Sequence, residues 1–267
     1  MRTAGSEIAG TLVDGASHEA DAAARAADVE IRPATLDDIG GVQDVLASVW
    51  GPAQRVQANL LMAMAHAGAT VASAVRDGLP VGACVGFLGW KGGMHLHSHM
   101  TAVRPGVRAS GVGYALKLWQ RAVCLGNGID EIRWTYDPLV RRNAYFNLAK
   151  LGARVVDYGP DFYGEMDDIV NAGDRSDRFE VSWALGSPTA TAALGGPPVT
   201  PGAATRFVRL PEDYDRMRRE DPAAAGSWRE RVRREIAELW DAGMRPVWAS
   251  GGYAFQPETG PRGGESD

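Results

Sequence analysis

Residues 95–113 read HLHSHMTAVRPGVRASGVG, and both ends of this stretch carry side chains or backbone suited to chemistry. His95, His97 and His99 alternate, so on an extended strand they project to one face. An unperturbed imidazole titrates at about pH 6.5, which suits it to take a proton at neutral pH. Three readings are open for the trio: a general base, a zinc site through His-x-His, or rings that only pack in a half-buried sheet. Same-face neighbours lie roughly 6.5–7 Å apart along a strand, so two can converge on one ion but three on a straight strand close poorly around it. The expectation is therefore no metal.

At the other end, Arg108-Ala109-Ser110-Gly111-Val112-Gly113-Tyr114 follows a β-run and opens a helix. The first N–H groups of a helix have no partner within it, and the macrodipole makes that end positive. Glycines at 111 and 113 remove Cβ atoms that would hold an anion away. The arrangement suits a phosphate or pyrophosphate. It is not a P-loop, because no Lys-Ser/Thr follows, and it lacks the third glycine of a dinucleotide fingerprint. A strand-to-helix turn that simply needs a positive φ is the bland alternative.

The elements that must position these groups are legible from their periods. VEIRPA (29–34) is a short strand. Thr35, with Asp37 and Asp38 after it, opens a helix whose Leu36, Ile39, Val42, Val45, Leu46 and Val49 recur at helical spacing. AQRVQANLLMAMAHAG is a second helix, ending at Gly68. Two β-runs joined at Asp77-Gly78 predict a hairpin, and MHLHSHMTAV (94–103) a neighbouring strand. Beyond the glycine turn, Val112, Ala115, Leu116, Trp119, Ala122 and Val123 mark an amphipathic helix that stops near Gly126-Asn127-Gly128. IDEIRWTY, RRNAYFNLAKLG, ARVVDY and RFEVSWAL then predict strand, helix, strand, strand. The fold class is mixed α/β (α+β), too irregular in its alternation for a doubly wound sheet.

Composition sets the domain limits. Residues 1–28 are rich in alanine and polar residues and read as a disordered or weakly helical lead. Residues 29–185 form the main domain, and the Pro/Gly/Ala/Thr-rich 186–205 reads as a linker. Residues 206–256 read as a small α/β extension: a strand, a helix with Trp228, Val232, Ile236 and Leu239 inward, and a closing strand. Residues 257–267 read as a disordered tail. In the helix WRERVRREIAELW the glutamates alternate with the arginines, which reads as a solvated, ion-paired face.

The net charge of -5 argues against nucleic acid or an anionic membrane as a partner. No apolar run reaches the roughly 20 residues of a membrane span. Two cysteines, Cys84 and Cys124, make no disulfide framework, and a cytoplasmic setting is expected. Neither has a neighbouring His or Asp in a recognisable arrangement, so both read as small buried hydrophobes rather than acyl carriers.

The glycine turn, with the element order around it, resembles the GNAT acyltransferases. That family carries Gln/Arg-x-x-Gly-x-Gly/Ala between its fourth strand and third helix. Here the stretch is Arg108-Ala-Ser-Gly111-Val-Gly113, preceded by VRPGV where the family has Val-x-Pro. RRNAYFNLAKLGARV resembles the family's second signature, and the resemblance covers roughly 29–185. A bacterial subgroup is similar at Ser98-His99-Met100, at Trp134-Thr135-Tyr136-Asp137-Pro138 and at Ser176-Asp177-Arg178. It is similar again at Pro211-Glu-Asp213 and Trp228-Arg229.

The resemblance implies a central twisted sheet of about seven strands flanked by helices, with the fourth and fifth splayed. It implies acetyl-CoA or another short acyl-CoA, succinyl included, as cosubstrate, and direct transfer to the amine of a small molecule, an amino acid being one class. Thr101, Ala102 and Val103 would pair with the pantetheine arm, Arg108 to Tyr114 would wrap the pyrophosphate, and Asn143 would reach the cofactor's far side. His97 and His99 are the base candidates. Many members place a tyrosine four residues before the closing glycine as an acid; here that position holds Leu148, leaving Tyr136 and Tyr145 as substitutes. Asp137, Tyr163 and Arg178 are the acceptor-binding candidates, Arg178 because its fork suits a carboxylate. A homodimer is an open expectation. The alternative is a catalytically silent CoA-binding sensor or assembly protein, which the missing tyrosine motivates.

Overall fold

The computed structural model describes residues 4–107, 110–196 and 206–258. The chain divides into two compact units. One comprises Met1–Trp134, Asp167–Ala172 and Ser182–Pro188; the other comprises Thr135–Met166, Gly173–Val181 and Thr189–Asp267.

The elements run α1 (Ala4–Ala26), β1 (Glu30–Pro33), α2 (Ile39–Trp50), α3 (Ala58–His66), β2 (Thr70–Arg76), β3 (Leu79–Gly89), β4 (His95–Val103), α4 (Val112–Gly126) and β5 (Glu131–Tyr136). They continue with α5 (Arg141–Ala144), extended by a π-turn over Tyr145–Lys150, then β6 (Arg154–Gly159), β7 (Arg178–Ala184), α6 (Pro188–Gly195) and β8 (Arg206–Arg209). The last are α7 (Tyr214–Glu220), α8 (Pro222–Asp241), β9 (Met244–Ala249) and β10 (Gly252–Pro257). Seven strands form one mixed sheet in the order β1-β2-β3-β4-β5-β7-β6, with β4 and β5 parallel. A second, antiparallel sheet has the order β8-β10-β9. The mixed α/β class and the expected strand count both hold.

The turns form where the sequence placed them. Asp77 (φ 50) and Gly78 (φ 76) join β2 to β3, with both central residues at the positive φ that the tight hairpin demands. In the first unit, α2 lays Val42, Val45 and Leu46 on Val71, Ala83 and Val85 of the sheet. The opposite face carries α4, whose Val112, Ala115 and Leu116 pack on Ala72, Ala74 and Cys84.

Three sequence expectations differ from the structure. The N-terminal lead is a continuous helix from Ala4 to Ala26. Its alanines are the strongest helix formers, and their small side chains let α1 lie close on α4, burying Ala16, Ala20 and Ala27. Arg121 of α4 ties it down through Glu19 at 2.6 Å. The stretch read as a linker contains α6, which burrows against Gly152: a Cβ there would meet the Thr189 carbonyl at 2.8 Å. Residues 197–205 lie outside the described residues, as do 259–267. Finally, the closing strand is two strands, β9 and β10, which turn back at Ser250–Gly251, and a helix, α7, precedes α8.

Candidate functional site

In the first unit, β4 is shaped by one irregularity. Val85 pairs Met100 and Phe87 pairs His97, so Gly86 alone faces both Ser98 and His99. This is a bulge in β4. Before it, His97 shares a face with Phe87; beyond it, Met100 and Ala102 share that face with Val85 and Ala83. Ser98 turns the other way, toward α4, where its hydroxyl donates to Gln120 Oε1 at 2.8 Å. Gly86 is required here because a Cβ would lie 2.6 Å from Thr70 Oγ1 and 3.1 Å from the His97 carbonyl. Gly86→Ala is expected to lower the urea midpoint by about 1–3 kcal/mol of stability at constant slope. An unchanged midpoint would show that the bulge tolerates a methyl group.

The bulge coincides with the parting of the two central strands. Among the described residues β4 pairs β5 through Leu96↔Ile132 and His97↔Arg133 and through no later residue. Beyond the fork, β4 keeps β3 on one edge only. Arg104 donates its N–H to Val81, and alternation along an antiparallel pair then turns Ala102 toward β3. The backbone groups of Thr101 and Val103 therefore face the open edge. Thr101 also has a buried hydroxyl oxygen with no partner.

The open edge runs into the glycine turn. Arg108 and Ala109 lie outside the described residues. Ser110 donates its hydroxyl to the Val107 carbonyl at 2.7 Å. Gly111 caps α4 at φ +87, a conformation that favours glycine. A Cβ at Gly111 would meet only Ala27, at 3.6 Å, and one at Gly113 only Val103, at 3.7 Å. Among the described residues no side chain comes closer than these to either glycine. Ala115 N–H bonds the Gly111 carbonyl, and the N–H groups of Val112 and Gly113 lie in the first turn ahead of it. Tyr114 is half-buried; desolvation, with Glu19 adding to it, pushes its hydroxyl up.

The three histidines separate into a pair and a single. His97 and His99 have ring centroids 6.1 Å apart, with Phe87 at 5.2 and 5.9 Å from them. His95 is buried and gives its Nδ1–H to the Gly93 carbonyl at 2.8 Å. Desolvation, reinforced by the neighbouring His99, His95 and Lys117, pulls His97 down to about 4. Desolvation lowers His99 as well. Both rings are therefore neutral at pH 7. Among the described residues no group of three or more His, Cys, Asp or Glu is placed to hold a metal ion. Burial pushes both cysteine thiols up to about 12, which keeps Cys84 and Cys124 from being nucleophiles.

The second unit holds the other candidates. Tyr136 is buried; its hydroxyl shares a 3.2 Å bond with Tyr253, which donates to the Pro138 carbonyl at 2.8 Å. That order commits the Tyr136 proton to Tyr253, and desolvation holds the hydroxyl well above its ordinary range. Tyr145 is 42% exposed, with its ring edge-on to Trp248. Asn143 is the third residue of α5, whose N-cap is Val140, so it does not cap the helix. Asp137 is 7% exposed and bound on both oxygens by Arg229, at 2.9 and 2.6 Å, and accepts the Leu139 N–H at 2.9 Å. Arg178 is buried and donates to the Asp177 carbonyl at 2.9 Å. Its guanidinium lies 5.4 Å from the ring centre of Tyr163, whose hydroxyl meets Thr135 at 3.0 Å. The structure thus brings Tyr163 and Arg178 together, and draws Asp137 into an ion-pair network.

Sequence reasoning missed the residues beneath the fork. Lys117, Gln120 and Arg121 are all buried, although the helical pattern put them on the polar face of α4. Their spacing gave one signal: three long polar side chains directly after a line of apolar ones, on a helix that α1 covers from outside.

No family model and no curated protein matches the chain. Solved structures do. An N-acetyltransferase from Staphylococcus aureus Mu50 is similar at 12% identity and a TM-score of 0.49, over 59% of this chain and 98% of that one. Arabidopsis thaliana Naa50 with a bisubstrate analogue of CoA is similar at 19% identity and a TM-score of 0.45, over 58% and 97%. Diaminobutyrate acetyltransferase EctA from Paenibacillus lautus, with its substrate and coenzyme A, is similar at 16% identity and a TM-score of 0.47, over 60% and 96%. The likeness is one of chain course.

Proposed function

We propose that the chain is an acyltransferase that moves a short acyl group from acyl-CoA to the amine of a small molecule by direct attack. The observation that carries this reading is the fork: β4 and β5 part after two residue pairs, and the freed edge of β4 leads into the open turn at Gly111. The unpaired backbone of Thr101 and Val103 suits an amide-bearing arm laid along β4 as an added strand. The N–H groups of Val112 and Gly113, at the start of α4, suit the pyrophosphate.

His97 takes the proton from the attacking amine, with His99 beside it as the second ring able to do so. Both are neutral at pH 7, which an acceptor of protons must be. A β4 N–H facing the open edge steadies negative charge on the acyl oxygen. The inert cysteines favour direct transfer over an acyl-enzyme. Tyr145, as a partly exposed tyrosine, is the candidate acid for the departing thiolate, and Arg178 with Tyr163 the pair suited to a substrate carboxylate. Among the described residues no helix is long and apolar enough to cross a membrane.

The test is thermal unfolding with CoA, acetyl-CoA and succinyl-CoA, followed by mass spectrometry of an amino acid and amine panel incubated with each acyl-CoA. A ligand at one hundred times its Kd is expected to add about 2.7 kcal/mol of stability. No shift with any acyl-CoA overturns the reading. A shift with no acylated amine favours the alternative, a CoA-binding sensor or assembly protein, for which Leu148 in place of an acid is the supporting feature.

A further inference from the structure

We propose that Lys117 is a positioning residue that holds β4 and β5 apart at the base of the acyl-CoA cleft; this rests on the acyltransferase reading above. Lys117 rises from α4 beneath the fork. Its Nζ donates to Ser98 Oγ, on the β4 bulge, at 2.8 Å. The same Nζ lies 3.8 Å from the ring centre of Trp134 on β5, the first residue after the last β4–β5 pair. One ammonium thus grips both strands where they separate. Behind it, Ser98 donates to Gln120 Oε1 at 2.8 Å and Gln120 Nε2 donates to Thr70 Oγ1 at 3.0 Å, which carries the anchor through to β2.

Stability alone gives no reason for this arrangement. Lys117 is 4% exposed, and its described partners include no carboxylate. An ammonium taken from water with only a hydroxyl and an aromatic face in exchange costs more than an apolar side chain of the same length. The titratable groups facing it are Cys84 of β3, Cys124 of α4 and His97 of β4. All three are neutral at pH 7, since burial raises both thiols and lowers the imidazole. Desolvation pulls Lys117 itself down to about 7. Its charge is therefore given up more readily than an ordinary ammonium's, and the attraction to Trp134 fades as pH rises.

The experiment measures acetyl-CoA affinity of the whole chain by calorimetry at about pH 6 and about pH 8.5, for the wild type, Lys117→Met and Ser98→Ala. Urea unfolding checks the fold of each. The wild type is expected to bind more tightly at the lower pH. Lys117→Met, which keeps length but loses charge, is expected to be as stable or more so at pH 7, yet to bind about tenfold more weakly, since the two strands no longer hold the cleft in its binding shape before the ligand arrives. Its affinity should change less with pH than the wild type's. Ser98→Ala should weaken binding in the same direction. If the wild type binds and both variants match its affinity and pH profile, the positioning role is overturned while the acyltransferase reading stands. If Lys117→Met fails to fold, Ser98→Ala decides: wild-type affinity in that variant overturns the proposal. If the wild type binds no acyl-CoA, the parent reading falls and this inference with it.

Discussion

Arg229→Met is expected to cost about 3–5 kcal/mol of stability, read as a lower urea midpoint, because it strands two buried carboxylates. Arg229 sits in α8 at 1% exposure. Its guanidinium binds Asp137 at 2.9 and 2.6 Å and Asp174 at 3.1 and 2.8 Å. Burial works against its charge, but Asp137 and Asp174 more than offset this and hold it protonated. With Arg229 gone, the nearest cation to both is Arg218, at 3.7 Å from Asp137 and 3.5 Å from Asp174, beyond hydrogen-bond reach. Tyr214, whose hydroxyl donates to Asp174 at 2.9 Å, cannot supply charge. Arg229→Lys should recover only part of the loss, since one ammonium cannot fork across two carboxylates. A change under about 1 kcal/mol in Arg229→Met would show that this network is no more than an exposed ion pair in effect.

That network shows where sequence reading reaches its limit. The arginines and glutamates of α8 alternate at the spacing of a solvated, ion-paired face, and Arg231–Glu235 is such a pair. Arg229, however, lies on the line of Ala225, Val232 and Ile236, all buried. A charged residue at a core position is legible only if its partner is known, and Asp137 is 92 residues away. Lys117 is the same case in the first unit. Its pairing with Ser98 and Trp134 depends on tertiary placement that no local period encodes.

What the sequence does carry well is local. The Asp77-Gly78 hairpin, the stop of α4 before Gly128 and the cap at Gly111 each rest on a backbone angle that few residues adopt. The order of strands and helices on either side of the glycine turn is legible from their periods, and the structure reproduces it. The fork is intermediate. Its presence was implied by family likeness, but its cause, a bulge that sets Ser98 and His99 against Gly86, lies in register between strands. The alternation of His95, His97 and His99 put all three on one face. The structure leaves His95 and His97 in regular alternation before the bulge, with His95 tied to the Gly93 carbonyl, and puts His99 in the bulge with its ring 6.1 Å from that of His97. In the sequence α1 reads as disordered or weakly helical because its many alanines have helix propensity but little hydrophobic signal.

His97→Ala is expected to lower kcat of acyl transfer by about 10²–10⁴-fold with little change in acyl-CoA affinity, as loss of a general base does. The pH profile separates this from structural damage. His97 is pulled down to about 4, by desolvation first and then by the adjacent imidazoles. A base must be unprotonated to act, so His97 stays competent as pH falls through 6.5 and fails only near 4. The wild-type rate should then follow ionisation of the acceptor amine across neutral pH, with no separate limb near 6.5. The same depression affects stability. Between about 6.5 and 4 the unfolded chain takes a proton at this site that the folded chain refuses, so stability falls as pH drops through that window. His97→Phe should blunt that acid loss while abolishing the rate. A variant that keeps wild-type kcat on every acylated amine would remove His97 from the chemistry. An acid limb near 6.5 that vanishes in His97→Ala would instead mean the ring is wetter, and a stronger base, than its place beside Phe87 and His99 implies.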